Sequence, residues 1–269
     1  MSDHQVEVNR PIRVVMFGGG PKLKQDAKKF ILRLEEDPEI EFLGAFCQAQ
    51  SQSLVGVLFD LWKRRRWLAI PLFFILVINK ATQILVHPRE EIAFQKSLGK
   101  ILDRIHFVTD IHSQTVIAQV RALNPDLGLI YGSPILKPEL FEIPRLGTLG
   151  IHHGKVPEYR GNKTTFWAMY NGENVAGVTI QKVNQGLDTG SIVKSAEVDT
   201  QGRTYQAVVH DLEKVGLDLF LQAILEVKDG TAEYKPQFGV KGTLYRNPKP
   251  LDFLKFWCRQ LKRRVRMAK

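Results

Sequence analysis

The spacing of apolar and polar positions changes several times along the chain, and each change marks an element. Residues 12–17 (IRVVMF) form a nearly continuous apolar run ending at Gly18-Gly19-Gly20, the pattern of a buried strand entering a tight turn. Leu23, Ala27, Phe30, Ile31 and Leu34 follow at i, i+4, i+7, i+8 and i+11, one face of a helix. Residues 40–47 (IEFLGAFC) read as the next strand. Strand, glycine turn, helix and strand together open a βαβ unit. Residues 50–100 are less regular and read as an insertion carrying one or two helices.

A second unit begins near Phe107. Ser113 stands where it caps a helix bearing Val116, Val120 and Leu123, and Asn124-Pro125-Asp126 stops that helix. Leu127–Tyr131 reads as a buried strand running into Gly132-Ser133-Pro134, and 147–152 as another strand after a turn containing Pro144. Residues 164–170 look helical and stop near Asn171-Gly172. Residues 176–183 (AGVTIQKV) alternate apolar and polar, which predicts a half-buried strand. A loop over 184–190 leads to a strand at 191–198. The longest helix is expected over 204–227, with Val208, Leu212, Val215, Leu219 and Ile224 as its buried stripe and Gly230 beyond its end. A last helix, 251–266, is expected to turn Leu254, Trp257 and Leu261 inward and its basic residues outward. No internal repeat is visible. The fold class is α/β, a Rossmann-like, mostly parallel sheet with helices on both faces. Residues 1–200 form that domain, including the 50–100 insertion, and 201–269 a small C-terminal helical extension.

The length of 269 residues suits such a fold without staples. With 44% hydrophobic and 25% charged residues, long disorder, collagen-like structure and a disulfide scaffold are excluded. Cys47 and Cys258 lie far apart and lack CxxC partners, so they read as reduced thiols rather than zinc ligands. The opening MSDHQVEVNRP has no apolar stretch of a signal peptide, which sets the expectation of a cytoplasmic protein. The most apolar run, 67–78 (WLAIPLFFILVI), holds 12 residues and Pro71, short of the ~20 that span a bilayer. A buried helix and a surface-seeking segment both fit it.

Charge narrows the partners. Lys and Arg number 38 against 28 Asp and Glu, a net +10, concentrated in Lys63-Arg64-Arg65-Arg66 and in Arg259, Lys262, Arg263, Arg264, Arg266 and Lys269. Such clusters serve as a solvated basic face or meet an anionic partner: lipid headgroups, a phosphorylated substrate or nucleic acid. Beside the apolar run, Lys63 to Arg66 suggest peripheral contact with an anionic membrane. Oligomeric state is not written in any of these patterns.

The densest chemical signal is GIHHGKVPEYRG, residues 150–161. His152 leaves the end of a buried strand, where open α/β sheets bind ligands, and an imidazole suits proton transfer at neutral pH. The second signal is Gly186-Leu187-Asp188-Thr189-Gly190, an acidic residue in a tight loop between strands. If the loops meet, Asp188 orients and charge-stabilises His152. No third ligand stands at metal-binding spacing. The first glycine turn, GGGPKLK, lacks the third glycine of GxGxxG and the Gly-Lys-Ser/Thr of a P-loop, so it is a tight turn or an anion cradle.

Taken together, residues 124–193 resemble the formyltransferases that use 10-formyltetrahydrofolate, a family acting on methionyl-tRNA, glycinamide ribonucleotide and sugar nucleotides. The resemblance rests on Asn124-Pro125-Asp126, Tyr131-Gly132, Ile135-Leu136, Ile151-His152, Pro157 and Tyr159-Arg160-Gly161. It continues through Trp167-Ala168, Asn171-Gly172-Glu173, Gly177-Val178-Thr179 and Gly186 to Gly190. It implies that a primary amine attacks the formyl carbon carried on folate N10, giving a tetrahedral oxyanion. By the same resemblance His152 shuttles protons or hydrogen-bonds the oxyanion, and Asp188 sets its tautomer. The folate ring would lie near Tyr131, Gly132, Ile135 and Leu136 and near Leu187.

One departure matters: the family's Asn, two residues before the histidine, is Gly150 here. That Asn donates to the formyl oxygen, and losing one such donor costs ~10²–10³ in rate. His153, Lys155 and Asn162 are candidate replacements. A small or lipid-linked amine, an amino-sugar nucleotide foremost, is the expected acceptor. A tRNA acceptor and nucleic acid in general are disfavoured, since about 70 residues after Thr200 leave little room for an added barrel. The alternatives are a hydrolase releasing formate and a binding homologue impaired by Gly150.

Overall fold

The computed structural model describes residues 10–19, 25–49, 99, 101–237 and 242–267. The insertion expected at 50–100, with its basic and apolar runs, lies outside them except for Gly99, as do residues 20–24 of the first glycine turn. In chain order the elements are β1 (Ile12–Gly19), α1 (Gln25–Glu36), β2 (Ile40–Gln48), β3 (Ile105–Val108), α2 (Gln114–Leu123) and β4 (Leu127–Tyr131). They continue with α3 (Pro138–Phe141), β5 (Thr148–His152), β6 (Tyr159–Gly161), α4 (Thr164–Asn171) and β7 (Val175–Lys182). The last are β8 (Ile192–Asp199), α5 (Tyr205–Lys228), β9 (Thr243–Tyr245) and α6 (Pro250–Met267).

Seven strands form the main sheet in the order β3-β2-β1-β4-β5-β7-β8. The first five are parallel, and β7 runs antiparallel to both its neighbours, β5 and β8. Alternate side chains of β1 explain the two helical layers. Val14 and Met16 join Phe30, Ile31 and Leu34 of α1 and Phe220 and Ile224 of α5 in one core. Val15 and Phe17 join Val116, Ile117 and Val120 of α2 in the other. The caps are those the sequence announces. Ser113 Oγ accepts from the Val116 N–H, Asn124 ends α2 in the left-handed region at φ 46°, and Thr204 Oγ1 accepts from the Ala207 N–H.

Three expectations change. The alternation at 176–183 does not mark a half-buried strand. β7 is buried on both faces from Ala176 to Gln181, because Thr179 hydroxyl donates to the Gly154 carbonyl (2.9 Å) and Gln181 amide to Asp188 Oδ1 (3.0 Å). The half-buried strand is its neighbour β8, at the sheet edge. On α5, Val208, Leu212 and Ile224 are buried as expected, but Val215 and Leu219 are only partly so, and Gly216 and Phe220 take the inward places. The helix lies so close there that a Cβ on Gly216 would stand 2.9 Å from Ile151 Cδ1. On α6, Phe256 is the inward residue, while Leu254 and Trp257 are exposed. The side chain of Leu261 lies outside the described residues.

Asp126, in the turn before β4, carries an electrostatic tie across the sheet. It accepts from two guanidinium nitrogens of Arg10 (2.8 and 2.9 Å), from the Arg13 N–H (3.0 Å) and from Arg145 (2.9 Å). Burial opposes its ionisation, but these donors outweigh burial and hold its pKa below the usual carboxylate value. A depressed folded-state pKa contributes stability above the unfolded value, near 3.9, that is lost as pH falls through the folded one. Asp126→Ala is expected to cost about 2–3 kcal/mol at pH 7, below the range of a fully buried pair because the arginines are half-exposed. Urea midpoints at neutral and acid pH check this: the variant's deficit should shrink below about pH 4.

Candidate active site

The carboxyl ends of β4 and β5 and the β7–β8 connection enclose a cavity of about 600 Å³, a volume that suits a drug-sized ligand. His152 is the last residue of β5, paired with Thr179 of antiparallel β7. Its ring is buried, and Nε2 lies 2.9 Å from the Tyr159 carbonyl oxygen. A carbonyl only accepts, so Nε2 carries the hydrogen and Nδ1 presents a lone pair. Nδ1 faces Asp188 Oδ1 at 3.4 Å. Asp188 sits at φ 51° in the β7–β8 loop, held by the Gly161 N–H on Oδ2 (2.8 Å) and the Gln181 amide on Oδ1 (3.0 Å). The two sequence signals therefore meet, but the Tyr159 carbonyl, not Asp188, sets the tautomer. Asp188 is placed to stabilise the imidazolium that forms when Nδ1 takes a proton.

A family profile described as "Formyl transferase" matches residues 86–224, just over half of the chain. The chain belongs to the formyl transferase family. The methionyl-tRNA formyltransferase of Thermodesulfovibrio yellowstonii is 34% identical over 126 residues, covering 46% of this chain and 41% of the relative. The chain thus spans about two fifths of the length of the curated relatives it matches. Among solved structures, a sugar N-formyltransferase from Shewanella sp FDAARGOS_354 superposes with a TM-score of 0.57 at 15% identity, covering 91% of this chain and 86% of that one. HypX from Aquifex aeolicus in complex with tetrahydrofolic acid gives a TM-score of 0.56 at 13% identity, covering 91% of this chain and 33% of that one. At these identities the structural likeness speaks for the fold.

Within this formyl transferase fold, Tyr131, Gly132, Ile135, Leu136 and Leu187 all line the cavity, but in two ways. Ile135 and Leu187 are exposed, at 71% and 41%, and offer apolar surface to a flat ring. Leu136 is buried in the second core, and Tyr131 packs on Phe30 (centroids 5.9 Å) and donates its hydroxyl to Glu213 Oε2 at 2.5 Å. These two support the loop from behind. Burial and the Glu213 carboxylate push the Tyr131 phenol well above its ordinary pKa, so it stays a donor.

Four contributors escape sequence reading. Tyr159 acts through its backbone, and Gln181 reads as a surface position in the alternating pattern. Gln237 donates to the Gly190 carbonyl at 2.7 Å and steadies the Asp188 loop from a distant segment. Glu213 of α5 also faces His153 Nε2 at 3.3 Å, placing an acidic residue on the cavity wall. Its only sequence signal is a charge on an amphipathic helix. Of the candidates to replace the family's Asn, His153 and Asn162 line the cavity. Lys155 does not: it pairs with Glu197 at 2.8 Å. A Cβ on Gly150 would meet Val183 Cγ2 at 3.5 Å and Ile130 Cβ at 3.7 Å, ordinary contacts. Among the described residues, no group of three or more His, Cys, Asp or Glu could hold a metal ion.

Burial holds the His152 pKa below 6.5, against the upward pull of Asp188 and the Tyr159 carbonyl and with the downward push of His153. The ring is neutral at pH 7 and ready to accept at Nδ1. The acid limb of kcat/KM for the reaction proposed below should accordingly fall at a pH under 6.5. A limb above 6.5 would assign the titrating base to another group.

Proposed function

We propose that this chain transfers a formyl group from N10 of 10-formyltetrahydrofolate to a primary amine, an amino-sugar nucleotide being the first acceptor to test. The observation that carries the reading is the buried His152 ring, tied through Nε2 to Tyr159 and opened through Nδ1 toward Asp188 on the wall of a 600 Å³ cavity. Ile135 and Leu187 flank the folate ring, whose bound formyl group supplies the electrophilic carbon. The acceptor's C–N bond forms as the bond to N10 breaks. His152 Nδ1 takes the proton that the attacking amine sheds and returns it to N10, so the histidine ends as it began. Asp188 stabilises the charged ring between the two transfers. Charge growing on the formyl oxygen needs a donor, and His153 and Asn162 are the groups at hand.

The test is to incubate the purified chain with the donor and a panel of amines, following donor loss and formylated product. Amine-dependent donor consumption supports transfer. No donor loss with any acceptor, together with no folate binding by calorimetry, would sink the reading. Formate release at turnover rates without amine would make the chain a hydrolase instead.

A further inference from the structure

Helix α6 presents two apolar faces, and only one is used. Phe256, 1% exposed, lies 4.8 Å from the ring of Phe166, which Phe253 also meets at 4.9 Å. At about 100° per residue, Leu251, Leu254 and Cys258 fall on one stripe away from that contact, with Trp257 beside it. Leu251, Leu254 and Trp257 are 57%, 61% and 52% exposed, and Cys258 is exposed too. Single exposed apolar side chains are ordinary, but three large ones on consecutive turns make a patch that marks an interaction site. Lys255 and Arg259, one turn apart and both exposed, border the stripe, with the Arg259 guanidinium 4.3 Å over the Tyr170 ring. From Pro250 onward the sequence carries one acid, Asp252, against Lys255, Arg259, Lys262, Arg263, Arg264, Arg266 and Lys269.

We infer that α6 is an interfacial helix that seats the Leu251, Leu254 and Trp257 strip at the boundary between headgroups and acyl chains of an anionic membrane. An apolar strip beside a basic border is the composition that lies in a membrane surface, and anionic headgroups draw the border toward it. Charge weighs against a second copy of the chain, since two such helices would bring two strongly basic segments into one interface, whereas an anionic surface neutralises them. No helix among the described residues is long and apolar enough to cross a bilayer, so the contact is with the surface. This inference stands apart from the formyl-transfer reading and survives its failure.

The experiment is co-sedimentation of the whole chain with phosphatidylcholine vesicles, with and without phosphatidylglycerol. Binding is expected to the anionic vesicles only, weakening as salt rises. Leu254→Glu with Trp257→Glu should lower the partition coefficient more than about tenfold, at an unchanged melting temperature because both side chains lie outside the core. A second readout does not depend on that variant folding. Cys258 is exposed and Cys47 buried, so an environment-sensitive dye placed on Cys258 should shift to the blue on anionic vesicles. Absence of sedimentation, binding undiminished in the double variant, or an unshifted dye overturns the inference. A dimer in sedimentation velocity that the double variant splits also overturns it, giving the strip to a second copy.

Discussion

His152→Ala is expected to lower 10-formyltetrahydrofolate-dependent formyl transfer by about 10³-fold, while folate binding stays within a few-fold of the parent. The split follows from the site. His152 Nδ1 is the accepting nitrogen beside Asp188, whereas the apolar surface open to a ring comes from Ile135 and Leu187. The substitution also leaves the Tyr159 carbonyl without its donor, which costs about 1–3 kcal/mol when buried. Activity is therefore read well below the variant's melting temperature, with folate affinity measured on the same sample. A variant retaining more than a tenth of the parent's turnover would remove His152 from the chemistry. Gly150→Asn is the complementary test. The cavity wall accepts a Cβ there at ordinary contact distances, and a restored donor to the formyl oxygen should raise kcat by about tenfold or more.

Gly190→Ala should damage stability and activity together. A Cβ at Gly190 would lie 1.6 Å from the Lys182 carbonyl oxygen and 2.8 Å from its carbon. Both are backbone atoms, so no rotamer change relieves the clash. The neck of the β7–β8 hairpin must open, where the Lys182 N–H donates to the Ser191 carbonyl at 2.9 Å and Gln237 grips the Gly190 carbonyl. Asp188 rides on that loop. The expected outcome is a loss of about 2–3 kcal/mol in the urea midpoint, in the range of forced overpacking, with at least about a hundredfold lower kcat as Asp188 leaves Nδ1. An unchanged midpoint would contradict the close approach of this loop to β7.

The pairing of His152 with Asp188 was half legible: each carries a short-range signal after a strand, but their spacing says nothing of whether the two loops meet. β5 and β7 pair directly, with His152 opposite Thr179. Antiparallel pairing then sets the end of β7 beside the start of β5, Lys182 opposite Leu149. The loop after β7 therefore has to fold back, and the Gly161 N–H and Gln181 amide hold Asp188 beside the histidine. Gln181 carries no signal of its own because alternation reports polarity, not exposure: a polar side chain facing a buried site has the same period as one facing water. The Tyr159 carbonyl leaves no trace in side-chain identity, since any residue supplies that oxygen. Glu213 and Gln237 come from segments far along the chain, and one-dimensional spacing says nothing of where α5 crosses the sheet.

Local periodicity, caps and turn residues by themselves determined the order of elements, the α/β class and the placing of His152 and Asp188 after β5 and β7, because each depends on neighbours within a few residues. Tertiary structure alone decided which atom holds the His152 tautomer and which polar residues line the cavity. It also decided which side of α6 meets the protein. Phe253 and Phe256 compete there with Leu251, Leu254 and Trp257 as apolar faces of one helix. Hydrophobicity ranks the two faces alike, and the ring of Phe166 chose between them by shape and position, which no single segment encodes.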